Sequence, residues 1–285
     1  MLVFENIPTL RAQIRNWRKY SETIAFVPTM GNLHQGHLDL ISYAYQHATK
    51  VIVSIFVNPL QFAPHEDFGS YPRTLEKDMN QCNAAQVAGV FIPTESVLFP
   101  EGKADTTQIV PPESLNHILC AVTRPHFFSG VATIVCKLLN IVQPDVAVFG
   151  KKDYQQLTII SKLVKDLNLD VKILSAPISR ADNGLALSSR NQYLTEEQLN
   201  QASCLSAVLQ QTKVCLLEGH ADLPNLCQKA IEQLNQNGFK MDYFEIRSQN
   251  NLQEVTPQDK NLIILAAGTL GKARLIDNLE VNLIA

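Results

Sequence analysis

Short apolar runs alternate with longer amphipathic segments through the first part of the chain, and this alternation constrains the fold most strongly. The segments between the runs are mostly long enough to form crossover helices. Such a rhythm predicts βαβ units and a buried, mainly parallel sheet, in which ligands gather at the carboxyl ends of the strands. The predicted strands are residues 24–27, 51–57, 90–92, 146–149 and 171–174.

The pattern changes near residue 176, where a segment rich in Pro, Ser, Asn and Gly begins. Thr195 is a candidate N-cap for the helix that follows this segment. We therefore predict an α/β protein with a Rossmann-like, mainly parallel sheet in residues 1–176 and a smaller, lid-like α+β domain in residues 177–285. The elements predicted in the second domain are helices around 199–209 and 223–237 and strands near 243–247, 262–267 and 274–276.

Composition excludes several classes of protein. The chain has 285 residues, which is enough for one large domain or two modest ones. Its 24 basic and 27 acidic side chains give a formal charge of -3, so no basic excess indicates nucleic-acid binding. The apolar runs fall far below the roughly 20 residues that cross a bilayer. With no recognisable secretory signal and no paired cysteine motif, we expect a reduced, cytoplasmic protein that binds neither nucleic acid nor membrane.

Two histidines flank a predicted helix start in the segment 26–41. The helix N-terminus attracts phosphate through its backbone N–H groups and dipole, and His34 and His37 can donate hydrogen bonds to the same anion. Gly36 between them allows a flat ring to approach the backbone. The alternatives are two solvated loop histidines or half of a metal site. Neither a P-loop nor a GxGxxG fingerprint is present.

Two further polar segments follow predicted strands. The carboxamide of Gln61 can donate and accept hydrogen bonds, which suits a small hydroxy acid, although a turn glutamine bonded to local backbone is the alternative. Lys152 opens a predicted helix where it can meet a phosphate, and Asp153 can cap that helix or bind a ribose. Gln156 lies about one helical turn further on. A solvated helix start is the alternative interpretation of this second segment.

The fourth segment lies at the predicted domain boundary. Ser188, Ser189 and Arg190 present two hydroxyls and a guanidinium, which suit oxyanions such as a triphosphate. The alternative is a polar turn between domains in which Ser189 or Asn191 lies near a helix cap.

Together the four segments resemble the pantothenate synthetase (pantoate:β-alanine ligase) family, which has the H-x-G-H motif of nucleotidyltransferases. The family pattern PTMGxLHxGH, SIFVNPxQF, FGxKDxQQ and SSRN is matched in this order, and the resemblance covers almost the whole chain. Residues 71–74 (YPRT) and 274–278 (RLIDN) are further marks of the family.

The resemblance implies an activity and a set of partners. Members of the family join pantoate to β-alanine with ATP and Mg2+, through a pantoyl adenylate that releases pyrophosphate before the amine releases AMP. The resemblance also implies a homodimer formed through the N-terminal domains, with nucleotide and pantoate bound by residues 1–176 and covered by residues 177–285. No residue is assigned as a metal ligand, and residues 63–70 are the candidate lid.

The resemblance also implies roles for individual residues. His34, His37, Lys152 and Arg190 are expected to act on the ATP phosphates, with His37 as the family's proposed proton donor. Gln61 and Gln156 are expected to orient pantoate, and β-alanine then arrives near Gln61. The other expected nucleotide contacts are Met30, Gly36, Gly150, Asp153, Ile178, Leu187, Ser188 and Ser189.

Three positions depart from the family pattern. Phe127 occupies the place of an expected histidine, with His126 one residue earlier, and Leu119-Cys120-Ala121 replaces a more usual Leu-Glu-Gly. Lys151 replaces an acidic residue, which adds positive charge beside the expected phosphate site. The remaining rivals are a plain nucleotidyltransferase, an aminoacyl-tRNA synthetase, and a module that senses ATP without turnover. Pantoate-dependent release of pyrophosphate separates the enzyme from the sensor.

Overall fold

The computed structural model describes residues 1–63, 66 and 68–283 of the chain. Tertiary contacts divide the chain into two compact units. Unit 1 comprises Met1–Lys151 and Gln156–Pro177, and unit 2 comprises Lys152–Gln155 and Ile178–Ala285. The sequence placed the tetrapeptide Lys152–Gln155 in the first domain. It groups with unit 2, in which the side chain of Asn278 donates a hydrogen bond to the backbone carbonyl of Lys152.

Unit 1 is built around a parallel sheet, which confirms the predicted Rossmann-like class. Among the described residues this sheet has six strands in the order β1-β4-β3-β2-β5-β6, and each of their pairings is parallel. The first strand is not apparent from the sequence. The strands are β1 (Leu2–Phe4), β2 (Ile24–Thr29), β3 (Lys50–Ile55), β4 (Gly89–Phe91), β5 (Val146–Gly150) and β6 (Lys172–Ala176).

Helices cover both faces of this sheet, and the side chains of β2 show how. Ile24 and Phe26 point into one apolar cluster, while Ala25 and Val27 point into another on the opposite face. Because both faces are buried, the strands consist of continuous apolar runs rather than alternating ones. The helices are α1 (Ile7–Lys19), α2 (Gln35–Tyr45), α3 (Leu75–Ala84), α4 (Glu95–Leu98), α5 (Glu113–Asn116), α6 (Cys120–Thr123), α7 (Phe127–Val142) and α8 (Tyr154–Asp166), the last starting in unit 2.

The strand order reverses between β2 and β5. From β2 the chain builds the sheet outward through β3 and β4, and it returns to the other side of β2 with β5 and β6. In open α/β sheets, ligands bind outside the carboxyl ends of the strands at this kind of reversal. The segments that follow β2, β3 and β5 are those in which the sequence predicts binding residues.

Unit 2 combines an antiparallel sheet with two long helices, as predicted for an α+β domain. Thr195 caps the first helix: the N–H of Gln198 donates to its hydroxyl at 3.2 Å, and its own N–H donates to the Gln198 carboxamide at 3.1 Å. This capping box confirms the predicted helix start. The elements are α9 (Glu196–Leu217), α10 (Leu223–Gln236), β7 (Phe239–Ser248), β8 (Asn261–Leu270) and β9 (Ala273–Asn282).

Two further expectations bear on the chain as a whole. None of the six cysteines, all of which lie within the described residues, is paired in a disulfide. Within the described residues, no helix has both the length and the apolar character needed to cross a membrane.

Candidate active site

A buried carboxylate holds the loop between β2 and α2. Asp78 of α3 accepts the backbone N–H groups of Asn32 at 2.9 Å and Leu33 at 2.7 Å, and the Thr74 hydroxyl lies 3.2 Å from both of its oxygens. Gly31 adopts φ +79°, and a Cβ there would stand 3.0 Å from the carboxylate. The loop therefore needs both Gly31 and Asp78. Sequence reasoning missed Asp78, whose only signal is an acidic residue four positions before Cys82 on the buried face of α3.

His34 and His37 form one hydrogen-bonded unit at the start of α2. The N–H of Gly36 donates to Nδ1 of His34 at 3.1 Å, and the N–H of His34 donates to Nδ1 of His37 at 3.3 Å. The ring centroids lie 4.2 Å apart, and both side chains are half-buried. The structure thus brings the two predicted imidazoles together at a helix N-terminus.

These bonds fix the tautomer of both rings. An Nδ1 atom that accepts a backbone N–H carries a lone pair, so the proton of the neutral imidazole resides on Nε2. The sequence predicted orphan backbone N–H groups for the anion, but the N–H of Gly36 is satisfied by His34. The Gly36 N–H is therefore already used, and the Nε2–H groups of the two rings and the helix dipole are further sources of attraction for an anion.

Met30 and Gln61 also lie side by side. Nε2 of Gln61 is 2.9 Å from Sδ of Met30, and Oε1 of Gln61 accepts a hydrogen bond from Asn58 at 3.0 Å. Gln61 ends the 3-10 helix Pro59–Gln61, whose first turn is capped by the buried Asn58. The two side-chain contacts differ from the local backbone bonding that was the alternative. They orient the carboxamide beside the loop that follows β2.

A charged clamp holds the backbone at Gln61. Arg124 donates to the Gln61 carbonyl at 3.1 Å and to the two carboxylate oxygens of Glu66 at 2.5 and 2.7 Å. Its guanidinium carbon lies 3.8 Å from the centroid of the Phe127 ring. Phe127, which replaces an expected histidine, therefore supplies a flat face on which Arg124 stacks. Within the candidate lid, Pro64, His65 and Asp67 lie outside the described residues.

The end of β5 approaches the middle of α2 in unit 1. Gly150 is the last residue of β5, and a Cβ on it would lie 3.8 Å from Leu40 of α2. Gln156, in the first turn of α8, is half-buried. The residues after β2, β3 and β5 that the sequence singled out in unit 1 are Met30, His34, Gly36, His37, Gln61, Gly150 and Gln156.

Unit 2 carries the remaining candidates, in two segments. Nζ of Lys152 lies 3.3 Å from the Asp153 carboxylate, and the side chain of Lys152 is only 19% exposed. In the second segment, Ser188 caps the 3-10 helix Ser189–Tyr193 by accepting the N–H of Arg190 at 3.2 Å. The alternative interpretation expected Ser189 or Asn191 near a cap, whereas the cap in the structure is Ser188, and its hydroxyl proton remains a donor. The candidates in this segment, all half-buried, are Ile178, Leu187, Ser188, Ser189 and Arg190.

One group of side chains could hold a metal ion by itself. Within the part of the chain that the structure describes, the side chains able to converge on one ion are Cys215, Glu218 and His220. Their sulfur and imidazole ligands suit zinc rather than Mg2+, which prefers oxygen. Mg2+ usually keeps several waters and binds through substrate phosphates.

The sheet is parallel, its strand order reverses, and histidine and glutamine side chains lie beyond β2 and β3. These features define the class of α/β enzymes that bind small ligands at the carboxyl edge of the sheet. The family profile described as pantoate-beta-alanine ligase matches residues 2–280. A pantothenate synthetase from Shewanella loihica is 48% identical over 280 residues, which are 98% of this chain and 99% of that protein. The chain belongs to the pantoate-β-alanine ligase family.

Solved structures agree with this assignment. A pantothenate synthetase from Thermus thermophilus superposes with a TM-score of 0.91 at 37% identity, covering 99% of this chain and 100% of that one. A pantoate-beta-alanine ligase from Francisella tularensis, complexed with beta-gamma ATP and beta-alanine, superposes with a TM-score of 0.81 at 36% identity. That comparison covers 98% of this chain and 97% of the other.

Proposed function

We propose that this chain condenses pantoate with β-alanine at the expense of ATP, giving pantothenate, AMP and pyrophosphate through a pantoyl adenylate. The observation that carries the proposal is the pair His34 and His37, tied to each other at the N-terminus of α2 in a chain that matches the family from residue 2 to 280. ATP and β-alanine are the ligands named for the relative from Francisella tularensis.

In the first half-reaction, a carboxylate oxygen of pantoate attacks the α-phosphorus of ATP. The bond between the α-phosphorus and the bridging oxygen to the β-phosphate breaks, and pyrophosphate leaves. The Nε2 protons of His34 and His37, the ammonium of Lys152 and the guanidinium of Arg190 neutralise charge that moves onto the leaving phosphates. The Nε2–H group of His37 donates a hydrogen bond to the leaving phosphate and keeps its proton, because loss of a proton from a neutral imidazole would give an imidazolate. No nucleophile from the enzyme is needed, because the carboxylate of the substrate performs the attack.

In the second half-reaction, the neutral amine of β-alanine attacks the acyl carbon of the adenylate. The bond from that carbon to the AMP oxygen breaks, AMP leaves with the electron pair, and the nitrogen loses a proton as the amide forms. Gln61 and Gln156 hold the hydroxyl and carboxylate groups of pantoate, and Gln61 then borders the arriving amine. Exclusion of water protects the adenylate from hydrolysis.

The other nucleotide contacts are side chains or backbone groups of Met30, Gly36, Gly150, Asp153, Ile178, Leu187, Ser188 and Ser189. Mg2+, when bound, neutralises phosphate charge and orients the triphosphate. We further propose a cytoplasmic homodimer joined through the N-terminal domain, with nucleotide and pantoate bound by residues 1–176. Residues 177–285 act as a lid-like domain.

The test separates the two half-reactions. Purified protein with ATP, Mg2+ and pantoate is expected to release pyrophosphate, and added β-alanine is expected to yield pantothenate. His37→Ala and Lys152→Ala should slow single-turnover adenylation by about 10²-fold or more, since each removes a group that stabilises leaving-group charge. Gln61→Ala should mainly raise the KM for pantoate. His47→Ala, an exposed histidine near the end of the same helix region, is the matched control.

Other outcomes would favour a different function or reject the roles given to individual residues. Pantoate-independent ATP binding without pyrophosphate release would favour the nucleotide-sensing module. Release with a phosphorylated acceptor in place of pantoate would favour a plain nucleotidyltransferase. Adenylate formation at the wild-type rate in both His37→Ala and Lys152→Ala would reject the roles given to these two residues.

A further inference from the structure

The motif at residues 274–278 lies on β9, and its Asp277 is the buried partner of an ion pair. The Asp277 carboxylate, 2% exposed, binds the guanidinium of Arg180 through two bonds of 2.6 and 2.8 Å. The N–H of Asn278 donates to the same carboxylate at 2.7 Å. Burial raises the pKa of Asp277, and the Arg180 guanidinium opposes this shift. A buried carboxylate with this bidentate partner occupies a fixed position, because separating the two groups would leave a buried charge unpaired.

Arg180 connects the buried Asp277 carboxylate to the segment that leads into Ser188. Its guanidinium also donates to the Gly184 carbonyl at 2.9 Å. Arg180 pairs with Ala186 across a short bridge, and the N–H of Leu187 donates to the Ser179 carbonyl at 2.9 Å. The hairpin that ends at Ser188 is therefore closed around the side chain of Arg180.

Asn278, the next residue of β9, connects the strand to Lys152. Its Nδ2 donates to the backbone carbonyl of Lys152 at 2.9 Å, although 126 residues separate the two in sequence. Tyr154, two residues after Lys152, bonds with Gln249 and Glu280 of the same unit. The side chain of Asn278 is buried, so this bond is shielded from water.

Two adjacent residues of β9 thus hold two segments far apart in sequence, and both segments lie within unit 2. One segment carries Lys152 and the other carries Ser188, Ser189 and Arg190. Groups that act together on one triphosphate must keep a fixed relative position, because a displacement of about 1 Å can cost on the order of 10²-fold in rate.

We propose that Asp277 and Asn278 are positioning residues. They fix Lys152 relative to the Ser188–Arg190 segment so that both can contact the phosphates of ATP. This inference rests on the phosphate-binding roles given above to those two segments. Neither Asp277 nor Asn278 contacts substrate in the proposal. They act through Arg180 and through the backbone of Lys152.

The test uses Asn278→Asp, which keeps the side-chain shape but removes the donor to Lys152, together with Asn278→Ala, which removes it without adding charge. Asn282→Ala, at the exposed end of the same strand, is the matched control. We expect the KM for ATP to rise about five- to tenfold in both Asn278 variants, as loss of one buried hydrogen bond would cause. The KM for pantoate should change by less than about twofold, because the glutamines assigned to pantoate lie in unit 1.

Two controls separate this inference from simple destabilisation and from the function itself. Thermal unfolding monitors folding, and calorimetric binding of a non-hydrolysable ATP analogue measures nucleotide affinity without turnover. Unchanged ATP affinity in both folded variants, or an equal rise of both KM values, would overturn the inference. A wild-type protein that binds the ATP analogue but releases no pyrophosphate with pantoate would instead refute the proposed function, while the affinities of the Asn278 variants still test the positioning role.

Discussion

Replacing Gly130 by alanine adds a single methyl group, and we expect this change to lower activity more than it lowers stability. Gly130 lies in α7, and its carbonyl accepts a hydrogen bond from Asn58 at 3.1 Å. A Cβ on Gly130 would stand 2.1 Å from the Leu60 carbonyl oxygen and 2.9 Å from the Gln61 nitrogen, whereas real Cβ contacts essentially never fall below 3.0 Å. The obstructing atoms are backbone, so the 3-10 helix that carries Gln61 must move by about 0.9 Å.

Two opposing effects decide the stability of Gly130→Ala. Alanine gains about 1 kcal/mol over glycine in a helix interior. Overpacking typically costs about 1–3 kcal/mol, and the Asn58 bond contributes about 1 kcal/mol more. We therefore expect the free energy of unfolding to fall by up to about 3 kcal/mol, in spite of the better helix propensity.

The catalytic effect of Gly130→Ala should exceed its effect on stability. A displacement of about 1 Å at a substrate-positioning residue can cost on the order of 10²-fold, so kcat/KM for pantoate should fall by about that factor. Steady-state kinetics with pantoate varied, together with urea unfolding, measure both quantities. Ser129→Ala, the neighbouring half-buried position on the same helix, should leave both nearly unchanged. A Gly130→Ala protein that is more stable than the wild type and equally active on pantoate would refute the reasoning.

Two other side chains permit predictions of stability. In Asp78→Asn an NH2 donor replaces one of the two carboxylate oxygens, each of which accepts one backbone N–H group. Urea unfolding should show a loss of about 2–4 kcal/mol and kinetics a higher KM for ATP, unlike the exposed control Glu76→Gln. Wild-type stability and ATP affinity in Asp78→Asn would contradict this. Burial and the Asp78 carboxylate raise the pKa of Cys82 from 9.0 to about 11. The unfolded thiol therefore ionises first, and the free energy of unfolding should decrease by about 2–3 kcal/mol between pH 9 and 11. Cys82→Ala should lose this part of the pH dependence, and parallel curves for the two proteins would exclude it.

The parallel sheet could be predicted because its central strands are buried on both faces. Residues 24–27 and 146–149 are apolar runs because every position in them is buried. The strand β1 gives no such signal, because Leu2 and Val3 are 45% and 50% exposed and the strand has only three residues. The short helices α4, α5 and α6 have one turn each, which is too little to show a helical period.

The residues expected to contact ligands could also be predicted from the sequence, because they follow strands in compact motifs. The residues that support them were not. Asp78 bonds to a loop 46 residues earlier, Arg124 to a carbonyl 63 residues earlier, and Asn278 to one 126 residues earlier. No local spacing indicates such partners, since only the folded chain brings them together. The tautomer of His34 and His37 depends likewise on backbone geometry, which the H-x-G-H pattern does not specify.

The bond between Asn278 and Lys152 has a consequence for the order in which the protein matures during synthesis. All six strands of the parallel sheet have been made by residue 176, so that sheet can form early. The carbonyl of Lys152, however, receives its partner only after a further 126 residues have followed it. A ribosome-bound chain can therefore complete the sheet and the histidine pair while Lys152, the lysine proposed to bind phosphate, is not yet held in place. On this order of events, β9 is the last element to be made before the set of phosphate contacts is complete.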